Sequence, residues 1–302
     1  MFLGYFLAVI TIFFWGITFI STKILLIDFS PIEILFFRFI AAYAGLWIFH
    51  PKTMKIPFKD NLIFLLAGLT GVTLYQFTEN VALSYTSASN VSLIVSMCPL
   101  FTAIITQIFL KEKAVTRWFV LGFVVAITGV ALVCMNGNME MKFSPKGDLL
   151  ALLSALCWGF YSLFISILNG KKYDSICVTR RVFFFALLTM IPLVVLGYFK
   201  GDVNISAAVN SVRFTKWTNW LNLLFLGLVA SAFCFWSWNK ACSIVGTVHI
   251  TKAIYLNPLV TIIFSFFILG EKITWMGALG ALITIAGLFI SGIKSRKQKG
   301  LA

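Results

Sequence analysis

Glu79 is an acid in apolar company, with Gln76, Thr78 and Asn80 within one helical turn of it. A carboxylate kept from bulk water beside amide and hydroxyl groups is a candidate for taking up and releasing a proton. The competing reading is a partly hydrated acid near a lipid boundary. A second polar set is His249, Lys252 and Tyr255, at steps of three. That spacing puts His249 and Lys252 on one helix face, with Tyr255 drifting aside. A charged side chain at membrane depth costs about 2.5–3.5 kcal/mol. Lys252 therefore either lines a polar cavity and attracts an anionic or carboxylate-bearing solute, or reaches back to the headgroups along its alkyl stem. His249 alone reads equally as an interfacial histidine. Asn90 stands opposite His249 by an internal repeat, with Ser96 one to two turns on.

Trp158 and Tyr161 share a face inside an apolar stretch and could stack on a flat or cyclic solute, as could Trp15. Aromatic anchoring at the membrane interface is the alternative. Arg38 and Arg181 either set helix positions by pairing with acids or helix-end carbonyls, or line a site for an anion. Beyond these groups the chain offers little chemistry. It has no H-E-x-x-H, no carboxylate cluster, no phosphate-cradling glycine loop and no nucleophile with an obvious base. Its six cysteines are scattered without a C-x-x-C pair, so neither a metal site nor a cofactor is expected. A nucleotide-driven pump is excluded for this chain alone.

These residues need positioning elements, and composition says what kind. Of 302 residues 60% are hydrophobic and 11% charged, against about 25% charged in a soluble domain. Ten apolar stretches are each about long enough to cross a bilayer as a helix: roughly 3–23, 31–49, 62–83, 88–110, 117–136, 147–168, 176–198, 220–242, 246–269 and 275–293. They do not alternate as barrel strands would. The first stretch lacks a basic leader and a cleavage site, and reads as a retained helix. The net charge of +14 reads as basic loops facing the cytoplasm, not as a nucleic-acid surface. Lys and Arg favour the loops on the side of residue 1, which predicts a multi-pass protein of the cytoplasmic membrane with both termini inside.

The chain also says the same thing twice. Trp15-Gly16 and Arg38 return as Trp158-Gly159 and Arg181, 143 residues on; Asn80, Pro99 and Glu112 return as Asn239, Pro258 and Glu271, 159 residues on. The predicted fold is all-α and membrane-integral, with ten transmembrane helices as two inverted five-helix repeats, because five spans turn the second copy over. The repeats are placed at 1–136 and 147–294, with a linker at 137–146 and a basic tail at 295–302. Glu112 and Glu271 end the fourth helix of each half as structural charges on opposite faces. Pro99 and Pro258 sit near the middle of helices four and nine, where each should kink its helix and serve as one of two paired hinges, or simply bend it for packing. In helix ten Gly277, Ala281, Thr284 and Gly287 form a small-residue stripe, for packing within the chain or for a homodimer seam.

WGITFISTK at Trp15–Lys23, RFIAA at Arg38–Ala42, ALSYTSASNVSLI at Ala82–Ile94 and the two P-x12-E-K blocks resemble the EamA family of the drug/metabolite transporter superfamily. The resemblance covers almost the whole chain. It implies a secondary carrier of small organic metabolites, amino acids or related solutes, often outward. Alternating access would proceed around a central cavity enclosed by the first four helices of each half. An exchanger of a larger anionic or nucleotide-like solute is the alternative. A non-transporting membrane enzyme or sensor subunit is the remote one.

Overall fold

The computed structural model describes residues 1–111, 114–135, 144–171, 173–201, 212–269, 274–291 and 293. Glu112, Glu271, most of the linker and the basic tail lie outside them. The described residues are helical, with no strand. We number the helices α1 (Phe2–Leu25), α2 (Pro31–Phe49), α3 (Asn61–Gly68, Leu69–Leu74 and Tyr75–Tyr85), α4 (Ala88–Val95 and Cys98–Leu110), α5 (Arg117–Met135), α6 (Pro145–Gly170), α7 (Ser175–Lys200), α8 (Trp217–Leu224, Phe225–Phe233 and Cys234–Val245), α9 (Thr247–Thr251, Lys252–Leu256 and Asn257–Leu269) and α10 (Trp275–Ser291). Eight of them are long and apolar enough to cross a membrane; the apolar helices over Arg117–Leu132 and Trp275–Ser291 are shorter. This is a multi-pass membrane fold, helical because lipid offers backbone amides no other partner.

Sequence sets the helix ends. At α2 the Ser30 hydroxyl accepts from the Glu33 amide while the Glu33 carboxylate accepts from the Ser30 amide, and Pro31 follows at the first turn. Asp174 caps α7 through the Cys177 amide. Gly201 and Gly246 close α7 and α8 with φ of 78° and 104°, where a side chain would be strained.

Four of the helices long and apolar enough to cross a membrane are interrupted along their length. α3 widens to a π-helix over Leu69–Leu74, and α8 does so over Phe225–Phe233. α4 breaks at Ser96 and Met97, and α9 tightens to a 3-10 turn over Lys252–Leu256. The proline kinks expected in continuous helices are instead restarts. Pro99 and Pro258 are each the second residue of a fresh helical segment, where a missing amide costs no hydrogen bond.

Glycines let these helices cross closely. A Cβ at Gly68 would lie 2.7 Å from the Val182 carbonyl oxygen in α7, and one at Gly227 would lie 2.7 Å from the Ala41 Cβ in α2. α5 and α10 interlock more tightly still. A Cβ on Gly129 would stand 2.4 Å from the Thr284 amide nitrogen, and one on Gly287 2.3 Å from that of Ala126. The stripe on α10 is thus used inside the chain. Gly129→Ala should force the two backbones apart, at about 1–3 kcal/mol for overpacking. A lower melting temperature of the purified protein in detergent is the expected result; an unchanged one would show that the pair does not pack this closely.

Ion pairs tie the ends of the bundle. Arg213 donates to both Glu33 oxygens at 2.9 and 3.0 Å. Lys216 grips Asp28 at 2.7 and 2.8 Å, with Asn219 at 2.9 Å; the Lys216 and Asn219 hydrogen bonds hold the Asp28 carboxyl below its usual range. At the other end Lys171 and Tyr173 donate to Asp60.

Candidate functional site

α1, α2, α3, α6 and α9 converge on one small polar cavity. Its lining includes Trp15, Arg38, Tyr75, Gln76, Glu79 and Trp158, with Thr18, Phe19 and Asn257 completing it. The remaining space gives the centre of a water-sized sphere about 20 Å³, room for little more than one water. Every residue that lines it is buried.

Arg38 is 1% exposed. Its Nε donates to Ser231 Oγ at 2.5 Å and its Nη1 to Gln76 Oε1 at 2.7 Å. Ser231 lies in the π segment of α8. A neighbouring carbonyl of that segment, Ala230, accepts from the Trp15 indole at 2.9 Å. The widened turn of α8 is therefore tied to two side chains that line the cavity, and π-bulges often lie at functional sites.

Glu79 lies beside the Tyr75 hydroxyl and near the Arg38 charge. One of its oxygens, Oε2, is buried without a hydrogen-bond partner, as are the Trp158 indole Nε1 and Asn257 Oδ1. Leaving such groups unsatisfied costs about 1–3 kcal/mol each. Three of them belong to residues lining one cavity, where a bound group with its own donors and acceptors could satisfy them. The walls are aromatic. Trp158 has Trp15 at 5.3 Å, Tyr75 at 5.0 Å and Tyr161 at 5.0 Å between ring centroids, and Trp238 stands 5.0 Å from Trp15.

Of the residues singled out from sequence, Trp15, Arg38, Gln76, Glu79 and Trp158 line this cavity. Tyr161 stands behind Trp158, its hydroxyl donating to Asn239 at 2.8 Å. The others lie elsewhere. Lys252 does not line the cavity: its Nζ donates to the Ser291 carbonyl at 2.6 Å, at the end of α10, with the Phe119 ring 5.5 Å away. Tyr255 is fully buried with its ring 6.4 Å from Phe123. His249 is exposed near the start of α9. Asn90 donates to Thr86 and Asp148 at a helix end. Ser96 returns its hydroxyl to the Ser92 carbonyl. Arg181 donates to Asn61 at 2.9 Å.

Sequence reasoning missed Thr18, Tyr75, Asn257 and Ser231. Thr18 is one turn from Trp15 and Tyr75 one turn before Glu79, so helical spacing could have found both. Ser231 carried no signal, because a π turn shifts the face it occupies. One further grouping brings His50, Asp174 and Cys177 within 4.8 Å. Arg180 Nη2, 3.8 Å from the Cys177 sulfur, opposes a cation there.

The sequence profile of the EamA-like transporter family matches residues 2–135 and again residues 145–293. An uncharacterized transporter of Archaeoglobus fulgidus is 29% identical over 300 residues, covering 96% of this chain and 98% of its own. A probable terminal-alkyne amino-acid exporter of Streptantibioticus cattleyicolor is 26% identical over 254 residues, covering 83% and 78%. A solved crystal structure shares the fold with a TM-score of 0.73 over 98% of each chain, at 16% identity.

Proposed function

Since the chain belongs to the EamA-like transporter family, we propose that it carries a small zwitterionic solute, an amino acid or close analogue, through the central cavity by alternating access. The observation that carries this reading is the set of unsatisfied atoms. Glu79 Oε2 and Asn257 Oδ1 accept; Trp158 Nε1 donates. An ammonium group would satisfy the acceptors. A carboxylate would take the indole N–H and face the Arg38 guanidinium. The side chain would lie among Trp15, Phe19 and Tyr75, where aromatic walls favour an apolar group. The relative named as an amino-acid exporter supports the same solute class and an outward direction.

Alternating access needs paired flexible points, and the interrupted helices supply them. α4 and α9 each restart at a proline, and α3 and α8 each hold a π segment, at matching places in the two halves. The two halves, 1–136 and 147–294, would rock about these points with the cavity between them. Glu79 would give up its proton to one side and regain it from the other, coupling solute to a pH gradient.

The test is uptake into liposomes holding the purified protein, comparing amino acids with the amines that lack the carboxylate and the acids that lack the ammonium. Zwitterions should move and both truncated series should fail. Equal movement of either series, or none of the zwitterions, would refute the reading.

A further inference from the structure

Arg181 is the repeat mate of Arg38, yet it serves a different place. Arg38 is held by Ser231 and Gln76. The positions that match these two in the other half are Val72 and Phe235, and neither side chain can accept a hydrogen bond. Arg181 turns aside instead. Its Nη2 donates to Asn61 Oδ1 at 2.9 Å, and its Nε is buried without a partner.

Beside it, the Arg180 guanidinium lies 3.8 Å over the Trp47 ring and donates to the His50 and Lys52 carbonyls. Among the described residues, neither arginine has a carboxylate within ion-pair distance. The nearest acid in sequence, Asp174, is taken up by the Cys177 amide and by His50 at 3.7 Å. Both arginines border a cleft of about 160 Å³ between the end of α2, the segment after it and the start of α7. Tyr43, Trp47, Thr53 and Phe184 are among its walls, and among the described residues no acidic side chain lines it.

We infer that this cleft binds a phosphate group, carried on an anionic lipid headgroup. Two neighbouring guanidinium groups with no counter-charge call for an anion. Their planar forks match phosphate oxygens, and the orphaned Arg181 Nε–H is a donor still to be used. The cleft lies where an apolar helix surface meets the Lys52 and Lys55 loop. Basic pockets between transmembrane helices can hold anionic headgroups. Phe184, 38% exposed, and Trp47 offer an apolar wall along which an acyl chain could run. A soluble phosphate would make no use of that wall. The site lies apart from the central cavity and does not depend on the solute carried.

Native mass spectrometry of the full-length protein in detergent tests this, with phosphatidylglycerol, phosphatidylcholine, glycerol 3-phosphate and inorganic phosphate as separate probes. One phosphatidylglycerol should be retained in preference to phosphatidylcholine. Arg181→Gln should weaken it about tenfold or more, as the loss of a charged hydrogen bond would, with Arg181→Lys intermediate. Glycerol 3-phosphate and inorganic phosphate should compete only weakly. If they bind as tightly as the lipid, the lipid source is overturned. Equal retention of both lipids overturns the proposal, as does unchanged binding in a folded Arg181→Gln protein. Should Arg181→Gln fail to fold, Asn61→Ala, which frees the guanidinium while keeping its charge, must retain the lipid; loss there also counts against the site.

Discussion

Glu79→Gln should abolish solute movement driven by a pH gradient while leaving exchange of solute for solute measurable. The substitution keeps the size and one oxygen acceptor but removes the group that can hold or release a proton. Among the described residues Glu79 is the one acid lining the central cavity, and its Oε2 has no hydrogen-bond partner in the protein. Transport against a concentration gradient should fall at least tenfold when the gradient is imposed across the liposome membrane, a loss of about 1.4 kcal/mol or more in coupling. Wild-type gradient-driven rates in this variant would remove Glu79 from the mechanism.

Arg38→Met should cost more, because it damages both binding and structure. The guanidinium joins the two halves: it sits on α2, and donates to Gln76 on α3 and to Ser231 on α8. Hydrogen bonds from a charged group contribute about 1.5–3 kcal/mol each. Losing them strands the Gln76 oxygen and leaves Glu79 without its neighbouring positive charge. Solute affinity should drop about ten- to a hundredfold, with a lower melting temperature in detergent. Arg38→Lys should rescue little, since an ammonium cannot reproduce the planar fork that reaches two partners at once. Full activity in Arg38→Lys would mean that only the charge matters.

Much of the cavity was legible in the sequence. Arg38, Gln76, Glu79, Trp15 and Trp158 stand out because a polar or bulky aromatic side chain inside an apolar run has few places to go. The helical membrane fold followed from composition. Lys252 went astray for a physical reason. Its place was read from the cost of a charge at membrane depth, which a cavity or the headgroups would relieve, whereas the ammonium is satisfied by the Ser291 carbonyl at the end of α10. Tyr255 lies within the 3-10 turn at Lys252–Leu256, where the angle per residue departs from the α-helical period from which its place was read. The prolines were legible as irregularities but not as restarts, because a sequence shows the missing amide without showing that the preceding turn has already let go. The contrast between Arg38 and Arg181 lay in the sequence too, but only once helix pairing identified Val72 and Phe235 as the counterparts to compare.

The π segments also fix the rotational phase of the helix turns beyond them. An α-helix advances about 100° per residue, and the wider turns over Leu69–Leu74 and Phe225–Phe233 take up residues that regular winding would have spent on rotation. Gln76 and Glu79 lie just beyond the first of these, so their bearing toward Arg38 is set by that surplus. Shortening the segment by a single residue would swing both side chains away from the guanidinium as one unit, although every chemical group of the cavity would still be present in the chain.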